Sequence, residues 1–404
     1  MPLAQAQYRA LGLQQAYAPV VKDLGKPYIA RAKTQVSARR AEKCDDKCVS
    51  ATPRAAPLHM RLQADREARR IMNNPSLNTF TPDQRRELMV FLLTTAMTMG
   101  LCGIQARMEF AACTQTLMRH DSAEMLMLSD LFVWQVRNVG AAAFLGLGMF
   151  SDKDKTNKSG QLEWSGAIRH KEPLHCAIGS IAMFLFYRWQ EERSAVPDFS
   201  SRAAWYFDCL SPGRKSARAR CAKTTFADVF KAGLEHLGLI KTHFLHFMRV
   251  FGVFLASEFH VHRDSVLLIG RWLRDKLAVH YQKTLKPADG LVGMAGFAAG
   301  SPALCDAYRV PRGEVEPPAE LLALVFPWRQ AELEAVIARN NAARAAPNDE
   351  TAAAGADRQA QAFLSEVLPY LEKVLLQDCA LLQDVVRAAH RVARRRRYAA
   401  ACSA

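Results

Sequence analysis

The sequence contains no long hydrophobic run. Its longest nearly uncharged apolar stretch is Leu88–Leu101, which has 14 residues, whereas a bilayer-spanning helix needs about 20. The first residues, MPLAQAQYRALGL, lack the layout of a secretory signal peptide. We therefore expect neither a membrane-spanning helix nor a membrane partner.

Acidic residues are outnumbered in this chain. It holds 39 Asp and Glu against 54 Lys and Arg, for a net charge of +15. This balance argues against an acidic disordered domain and favours a polyanionic partner, either nucleic acid or an anionic membrane surface. Half of the 404 residues are hydrophobic, so the chain can bury one large core or two modest ones.

Familiar cofactor and metal motifs are missing. The sequence has no Walker loop, GxSxG elbow or Rossmann glycine pattern. Cys44 and Cys48 form a lone CxxxC, and the five histidines between residues 236 and 262 match no ligand spacing. We therefore expect no cofactor and no metal. Most of the ten cysteines lie in apolar stretches, which indicates reduced, buried thiols.

Composition divides the chain into five predicted parts. The part formed by residues 1–56 carries excess basic charge and few large apolar residues, so it is either a solvated tail or an arm that binds phosphates. The part formed by residues 301–358 begins with a proline-rich stretch and continues into a low-complexity stretch. The parts are a basic arm (1–56), a helical N-terminal DNA-binding segment (57–110), a mixed domain (111–300), a connector (301–358) and a C-terminal helix with a basic tail (359–404).

Local patterns predict individual elements. Thr81, followed by Pro82, is a plausible N-cap of a helix that ends or bends at Gly100. Residues 117–128 read as a further helix. Two strand-like runs, 141–150 and 161–168, flank a polar turn that ends in glycine, which predicts a β-hairpin. The basic segment 211–223 is predicted to be a loop.

The C-terminal part has apolar residues at nearly heptad spacing from 364 to 392, with Asp378 as a polar interruption. Pro369 argues against a long unbroken coiled coil. This helix either assembles protomers or packs within its own domain. The last residues hold six arginines and no acid, which is typical of a nuclear-import signal or a phosphate-binding tail.

Residues capable of phosphoryl-transfer chemistry occur in a fixed order. Asp130 of an LSD turn lies 11 residues after Arg119, and Trp272 of a Gly-Arg-Trp sequence lies 23 residues after Arg249. Tyr281 follows Trp272 by nine residues. The ordered set is Arg119, Lys155 in the hairpin turn, the HxxR pair His246 and Arg249, Trp272 and Tyr281.

This set resembles the catalytic domain of the tyrosine recombinases and integrases, in the branch with Trp at the Gly-Trp position. Four sequence segments are similar to domain 2 of the fungal centromere DNA-binding subunit and to the related Crypton-type recombinases. They are "KTNKSGQLEWSGAIRHKEPLHCAIGSIAMFLFYRW", "GRW", "AGF" and "VFPW". The resemblance covers residues 75–330. It implies a mostly helical α+β fold: a catalytic domain with a small sheet, a helical N-terminal clamp segment and a helical C-terminal appendage.

The resemblance also implies a chemistry that needs neither metal nor ATP. Arg119 and Arg249 would grip the non-bridging phosphate oxygens bidentately. Tyr281 would attack phosphorus and form a 3′-phosphotyrosyl link. Lys155, with Lys153 and Lys158 as rivals, would protonate the leaving 5′-oxygen. His246 would carry a proton or contact the phosphate, and Trp272 would donate its indole N–H.

Each of these residues also has a structural interpretation. Arg119 can be a surface residue, His246 a core histidine, and Trp272 or Tyr281 an ordinary packing aromatic. Many recombinases place an acid three residues after the first arginine, where this chain has Ser122. The centromere-binding relatives bind DNA without cutting it. Three functions therefore stay open. The first is strand cleavage and rejoining through Tyr281, and the second is DNA binding without turnover in a chromosomal or regulatory role. The third is a scaffold or membrane-surface protein that uses its basic ends.

The expected partner is double-stranded DNA, held in a C-shaped clamp. Most of the affinity would come from phosphate contacts and would fall steeply with salt. By resemblance, the protein would form a homo-oligomer on DNA, and we expect it in the nucleus. The candidate DNA-binding residues are Arg214, Lys215, Arg218, Arg220, Lys223 and Arg271.

Overall fold

A computed structural model describes residues 80–99, 102–137, 139–140, 143–151, 163–239, 244–272, 286–345 and 355–402. The chain divides into two compact units. One comprises Thr79–Lys231 and His243–Ala404, and the other comprises Met1–Asn78 and Ala232–Thr242. The predicted boundary between residues 110 and 111 falls inside a helix of the first unit.

The first described helix, α1 (Pro82–Met99), begins where the sequence predicts. The Gln84 backbone N–H donates to Thr81 Oγ1 at 3.2 Å, and the Thr81 N–H donates to Gln84 Oε1 at 3.1 Å. This reciprocal pair is a capping box, which satisfies two amide groups at the start of the helix. Thr81 as the N-cap is therefore confirmed.

The next helix, α2 (Cys102–Thr116), is buried along its whole length. It ends because Leu117 adopts the left-handed conformation, with φ of 53°. The prediction of one helix over 117–128 is wrong for this reason. Only His120–Ala123 (α3) is helical there, and Leu128–Asp130 forms a 3-10 turn.

A three-stranded antiparallel sheet follows, with strands in the order β1 (Leu131–Val136), β2 (Phe144–Ser151) and β3 (Glu163–Ala167). The predicted hairpin is confirmed, because β2 pairs with β3 in a register that places Phe150 opposite Trp164. Strand β1 was not predicted. The hairpin turn with Lys153, Lys155 and Lys158 lies outside the described residues.

The basic segment predicted as a loop is mostly a second, small hairpin, so that prediction is wrong. Strand β4 (Pro212–Gly213) pairs with β5 (Ser216–Arg220). Alternation of short and long side chains in SARAR is compatible with an exposed strand, which periodicity of apolar residues cannot reveal. Helices α4 (Ala177–Phe186) and α5 (Arg202–Trp205) precede this hairpin.

Helices make up most of the remaining chain. The segment predicted as a connector (301–358) is largely folded, with Val325, Phe326 and Val336 buried. The helices after the small hairpin are α6 (Lys223–His236), α7 (Phe244–Glu258), α8 (Arg263–Ile269), α9 (Ala288–Met294), α10 (Pro302–Asp306), α11 (Ala319–Val325), α12 (Arg329–Ala345), α13 (Arg358–Ala362) and α14 (Leu368–Cys402).

The part of α14 up to Leu382 packs within the first unit. Leu364, Leu371 and Val374 of the heptad-like pattern are completely buried, so the packing alternative is the one observed. A π-helical turn, Phe363–Val367, precedes Pro369, whose missing N–H cannot continue a regular ladder. Asp378, the polar interruption, is buried and accepts hydrogen bonds from Arg169 and Arg312, each at 2.6 Å.

The fold is thus a mostly helical α+β structure, as predicted. Phe110, Phe230 and Phe251 stack in its core. Five of the cysteines in the described part of the chain are buried and none of those described is paired in a disulfide, as the sequence indicates. None of the helices among the described residues is long and apolar enough to cross a bilayer.

Candidate nucleic-acid interface

Arg249 lies on the amphipathic helix α7 and is buried. Phe247 and Phe251 place the opposite side of this helix in the aromatic core. The Arg249 guanidinium lies over the Trp272 ring, 4.1 Å from its centroid, and its Nη2 donates to the Gly270 carbonyl oxygen. The HxxR arginine and the tryptophan of the Gly-Arg-Trp sequence therefore meet, as the resemblance implies.

The Gly-Arg-Trp turn has a shape that explains its glycine. Helix α8 ends at Ile269, and Arg271 adopts a left-handed φ of 58°. The Trp272 ring then folds back over Gly270, where any Cβ would collide with the indole carbons. Glycine at this position lets the indole lie beneath Arg249 while 36% of the tryptophan stays exposed to solvent.

Arg271 connects this turn to the three-stranded sheet. Its Nη1 donates to Glu163 Oε2 at 3.0 Å, and its Nη2 donates to Ser165 Oγ at 3.4 Å. Both partners lie on β3, the strand that follows the hairpin turn containing Lys155. Arg271 is predicted to bind DNA. The structure assigns its guanidinium to Glu163 and Ser165, so its contact with DNA stays a prediction.

Helix α7 also meets the end of α2, close to the first arginine of the motif. A Cβ on Gly252 would lie 2.5 Å from Leu117 Cδ2 and 2.6 Å from the Thr114 carbonyl oxygen. Arg249 and Gly252 are three residues apart and share one face of α7. Arg119 follows Leu117 by two residues and forms the N-cap of α3, so it opens a helix as the resemblance implies.

A buried hydrogen-bond network supports the Arg119 segment. His120 Nε2 is hydrogen-bonded to Glu109 Oε2 at 2.8 Å. Its Nδ1 lies 3.2 Å from Glu124 Oε1, which is a charge contact without the geometry of a hydrogen bond. Burial raises the pKa of Glu124, while the adjacent His120 opposes that rise. Glu109 and Glu124 therefore lie against His120, the residue after Arg119.

The same network reaches the small basic hairpin. Ser211 Oγ, just before β4, donates to Glu109 Oε1. Just after the hairpin, Lys223 at the start of α6 has its Nζ 2.5 Å from Asp121 Oδ1 of α3. The hairpin is thus tied to α2 by a buried contact, and the residues that follow it are tied to α3 by an exposed one.

Three groups near Lys223 have atoms close enough to share a cation: His120, Asp121 and Glu124 offer ligand atoms within 4.8 Å of one another. However, the Lys223 ammonium is 2.5 Å from Asp121 and 3.9 Å from Glu124. It already supplies positive charge to both carboxylates, and we assign no metal site here.

The basic hairpin presents its cations to solvent. The hairpin and its flanks, residues 211–223, contain five Lys and Arg and no acid. Arg218 also stabilises the fold, because its Nη2 donates hydrogen bonds to the carbonyl oxygens of Ala203 and Ala204 at 2.8 and 2.6 Å. All five predicted DNA-binding cations of this segment are exposed: Arg214, Lys215, Arg218, Arg220 and Lys223.

The described part of the chain covers part of the predicted catalytic set. Arg119, Arg249 and Trp272 lie within it, with Arg249 and Trp272 in direct contact. Lys155 and Tyr281 lie outside it. His246 belongs to helix α7, and its side chain also lies outside the described part.

Lys286 is a residue that the sequence did not single out. Its Nζ lies 4.4 Å from the centroid of the Trp164 ring. Burial, and to a smaller extent the nearby Arg271, lower the pKa of Lys286 to about 8 against the opposing effect of Glu163. No short motif marks this lysine, because its neighbours Trp164 and Arg271 are distant in sequence.

Comparison with known proteins gives one family match. The family model for "Centromere DNA-binding protein complex CBF3 subunit, domain 2" matches residues 72–387. No curated protein matches the chain. Among solved structures, the chain is similar to "FLP Recombinase-Holliday Junction Complex I", with a TM-score of 0.46 and 12% identity over 81% of this chain and 72% of that chain.

Proposed function

Because this chain belongs to the family of domain 2 of the centromere DNA-binding CBF3 complex subunit, we propose that it binds double-stranded DNA. The basic hairpin β4–β5 and the Arg119 and Arg249 segments hold the phosphate backbone. Arginine suits this role because its planar guanidinium matches phosphate oxygens bidentately.

One observation carries this proposal. Residues 211–223 expose five cations without an acid, and the contacts of Ser211 with Glu109 and of Lys223 with Asp121 anchor the hairpin beside Arg119. A fixed array of exposed cations binds a regularly spaced row of phosphates better than the same charges on a free chain, because less conformational entropy is lost on binding.

Fluorescence anisotropy with a labelled short duplex tests this function. Affinity should fall as a power of the salt concentration, with a slope that reports the number of phosphates neutralised. An excess of unlabelled duplex should compete fully. A protein that leaves the anisotropy of several unrelated duplexes unchanged at low salt does not have this function.

A second candidate function is strand cleavage and rejoining, and the contact between Arg249 and Trp272 favours it. In this scheme Arg119 and Arg249 stabilise the charge that grows on the phosphate. The Tyr281 phenol gives its proton to His246 as its oxygen attacks phosphorus, the bond from phosphorus to the 5′-oxygen breaks as Lys155 protonates that oxygen, and the phosphoryl group stays on the tyrosine for rejoining.

A nicked suicide duplex tests the second candidate. Cleavage near the nick releases a short fragment and leaves the protein covalently joined to the 3′-phosphate, which migrates as an adduct on a denaturing gel. Tyr281→Phe should abolish the adduct and retain binding. Binding without an adduct on many duplexes would leave the protein as a DNA-binding domain without turnover.

The biological setting follows from the same proposal. A centromere-type DNA-binding domain acts on chromosomes, so we place the protein in the nucleus. Assembly of several copies on DNA belongs to the recombination candidate, as does an origin in a transposon. Size-exclusion chromatography with light scattering, with and without duplex, measures the copy number.

A further inference from the structure

The outer face of the three-stranded sheet carries an unusual arrangement of aromatic residues and glycines. Because side chains alternate along a strand, one face receives the even-numbered positions. The odd-numbered positions Leu131, Leu147 and Met149 are buried in the core. The even-numbered face holds Phe132, Trp134, Phe150 and Trp164, together with Gly146, Gly148 and Gly166.

The glycines lie where the rings need room. The register pairs Phe132 with Gly148 and Trp134 with Gly146. A Cβ on Gly148 would meet three atoms at one end of the Phe132 ring, and one on Gly146 would meet the six-membered ring of Trp134. Both rings therefore lie flat across the backbone of β2, which a side chain at either glycine would prevent.

The other two aromatic residues build on this layer. Phe150 stacks on Phe132 with 4.3 Å between ring centroids and 25° between planes. Trp164 meets Phe132 edge-on at 5.4 Å and Trp134 at 5.2 Å. All four rings are half-buried, so the stack retains accessible aromatic surface.

The two ends of this face differ. Trp134 packs against the buried cluster that contains Leu291 and Tyr308, which covers that end. At the other end, Phe132, Phe150 and Trp164 are not part of that cluster. We name these three residues the aromatic patch.

Positive charge borders the aromatic patch. Lys286 Nζ lies 4.4 Å from the Trp164 ring centroid. A planar ring stack with a cation at its edge is complementary to a nucleotide, which combines a flat base with a phosphate. An aliphatic helix would match neither the stacked rings nor the charge.

We propose that the aromatic patch is a stacking site for an unpaired base of bound DNA, with Lys286 beside the phosphate of that nucleotide. The inference rests on the proposed DNA binding and adds that the domain holds a base outside the duplex. A base on Phe150 would extend the stack of Phe132 and Phe150 by one further ring.

The test compares three labelled duplexes with the full-length protein: a closed duplex, one with bulged thymidines and one with the same bulge made of abasic residues. The two bulges have equal phosphate charge and differ only in the bases. We expect about tenfold tighter binding to the thymidine bulge than to the abasic bulge, because stacking of a base on an aromatic side chain is favourable.

Two variants locate the effect. Phe150→Ala should remove the preference for thymidine while closed-duplex affinity is unchanged, and Phe150→Tyr should keep it. Leu145→Ala is the matched control, because Leu145 is exposed on the opposite face of the same strand and should behave as the wild type.

Each outcome decides the inference. Equal affinity of the wild-type protein for the two bulges would overturn it and leave duplex binding intact. An equal loss of affinity for all three probes in Phe150→Ala would also overturn it and assign the patch a structural role. If no duplex binds, the proposed function fails. A single-stranded thymidine oligomer compared with its abasic counterpart then decides the stacking site separately, by quenching of tryptophan fluorescence.

Discussion

Arg249 and the basic hairpin place positive charge in opposite environments. The Arg249 guanidinium is buried between the Trp272 ring and the Gly270 carbonyl oxygen. The hairpin cations Arg214, Lys215 and Arg220 are exposed. Water and salt screen the hairpin charges strongly and Arg249 weakly.

This difference in burial gives the two groups of cations different roles in DNA binding. Exposed cations attract a polyanion from a distance and contribute affinity that salt weakens. A buried arginine held by a ring and a carbonyl has a fixed position, so it can stabilise charge at one particular phosphate. Lys286, half-buried over Trp164, is intermediate between these two cases.

The largest expected effect comes from Arg249→Ala. If the covalent adduct forms, this variant should reduce its formation rate by about 100-fold, since one well-placed donor to the transition state contributes about 3 kcal/mol. Closed-duplex affinity should fall only modestly. Single-turnover adduct formation and anisotropy measure the two quantities.

Arg249→Lys is the control for this variant, because it keeps the charge and loses the planar fork. A thermal unfolding curve accompanies both. If Arg249→Ala is already unfolded before DNA is added, Arg249 stabilises the fold by packing against Trp272. Arg249 and the hairpin cations would then differ in burial and would not divide two roles in DNA binding.

Neutralising the hairpin should have the next largest effect. Replacing Arg214, Lys215 and Arg220 by Gln should reduce the slope of log affinity against log salt by about 0.9 for each phosphate contact removed. Arg218→Gln is the matched comparison: its guanidinium also binds two backbone carbonyls, so it should lower thermal stability as well. An unchanged slope in the triple variant would place the hairpin outside the interface.

The third prediction concerns Lys286 and pH. Burial lowers its pKa in the folded protein to about 8 from an unfolded value of 10.5, so the unfolded chain binds more protons between these values. The free energy of unfolding should therefore gain a contribution that rises with pH from 8 to 10.5, by up to about 1 kcal/mol per pH unit.

Denaturant unfolding of the wild type and Lys286→Met, measured across that pH range, tests this. The variant should lack the contribution and should be the more stable protein near pH 7, because no charge is desolvated on folding. Parallel curves for the two proteins would mean that Lys286 is as well solvated as a hairpin cation.

The smallest expected effect is that of Arg271→Gln. The ion pair with Glu163 is partly exposed, with a donor-to-acceptor distance of 3.0 Å. Its loss should reduce stability by about 1 kcal/mol. Calorimetry of Arg271→Gln and of Glu163→Gln should give similar losses, and the double variant should lose less than their sum.

Sequence patterns predicted the elements that depend on side chains close together in the chain. The capping box at Thr81 and the β2–β3 hairpin follow from side chains within a few residues of each other. The end of α2 does not, because Leu117 takes a left-handed conformation that no local sequence signal marks. Strand β1 was missed because its residues alternate only weakly between buried and exposed.

The candidate site shows the same limit. The spacing of Arg249 and Trp272 supported a resemblance that assigns both residues to one site, and the structure brings these two side chains into contact. Sequence could not reveal that His120 is hydrogen-bonded to Glu109, because this contact depends on how α2 and α3 pack. The role of Arg271 is a similar case, since its partners lie on β3, more than a hundred residues earlier.

The carboxylate of Asp378 has a consequence for the order in which the molecule can form. Arg169 and Arg312, both nearly buried, share this one acceptor on the last helix. A ribosome delivers them well before it delivers Asp378, and domains fold as units during synthesis. Until that helix is available, Arg169 and Arg312 have no counter-ion at Asp378, so burial of these two guanidinium groups must wait for α14 to pack.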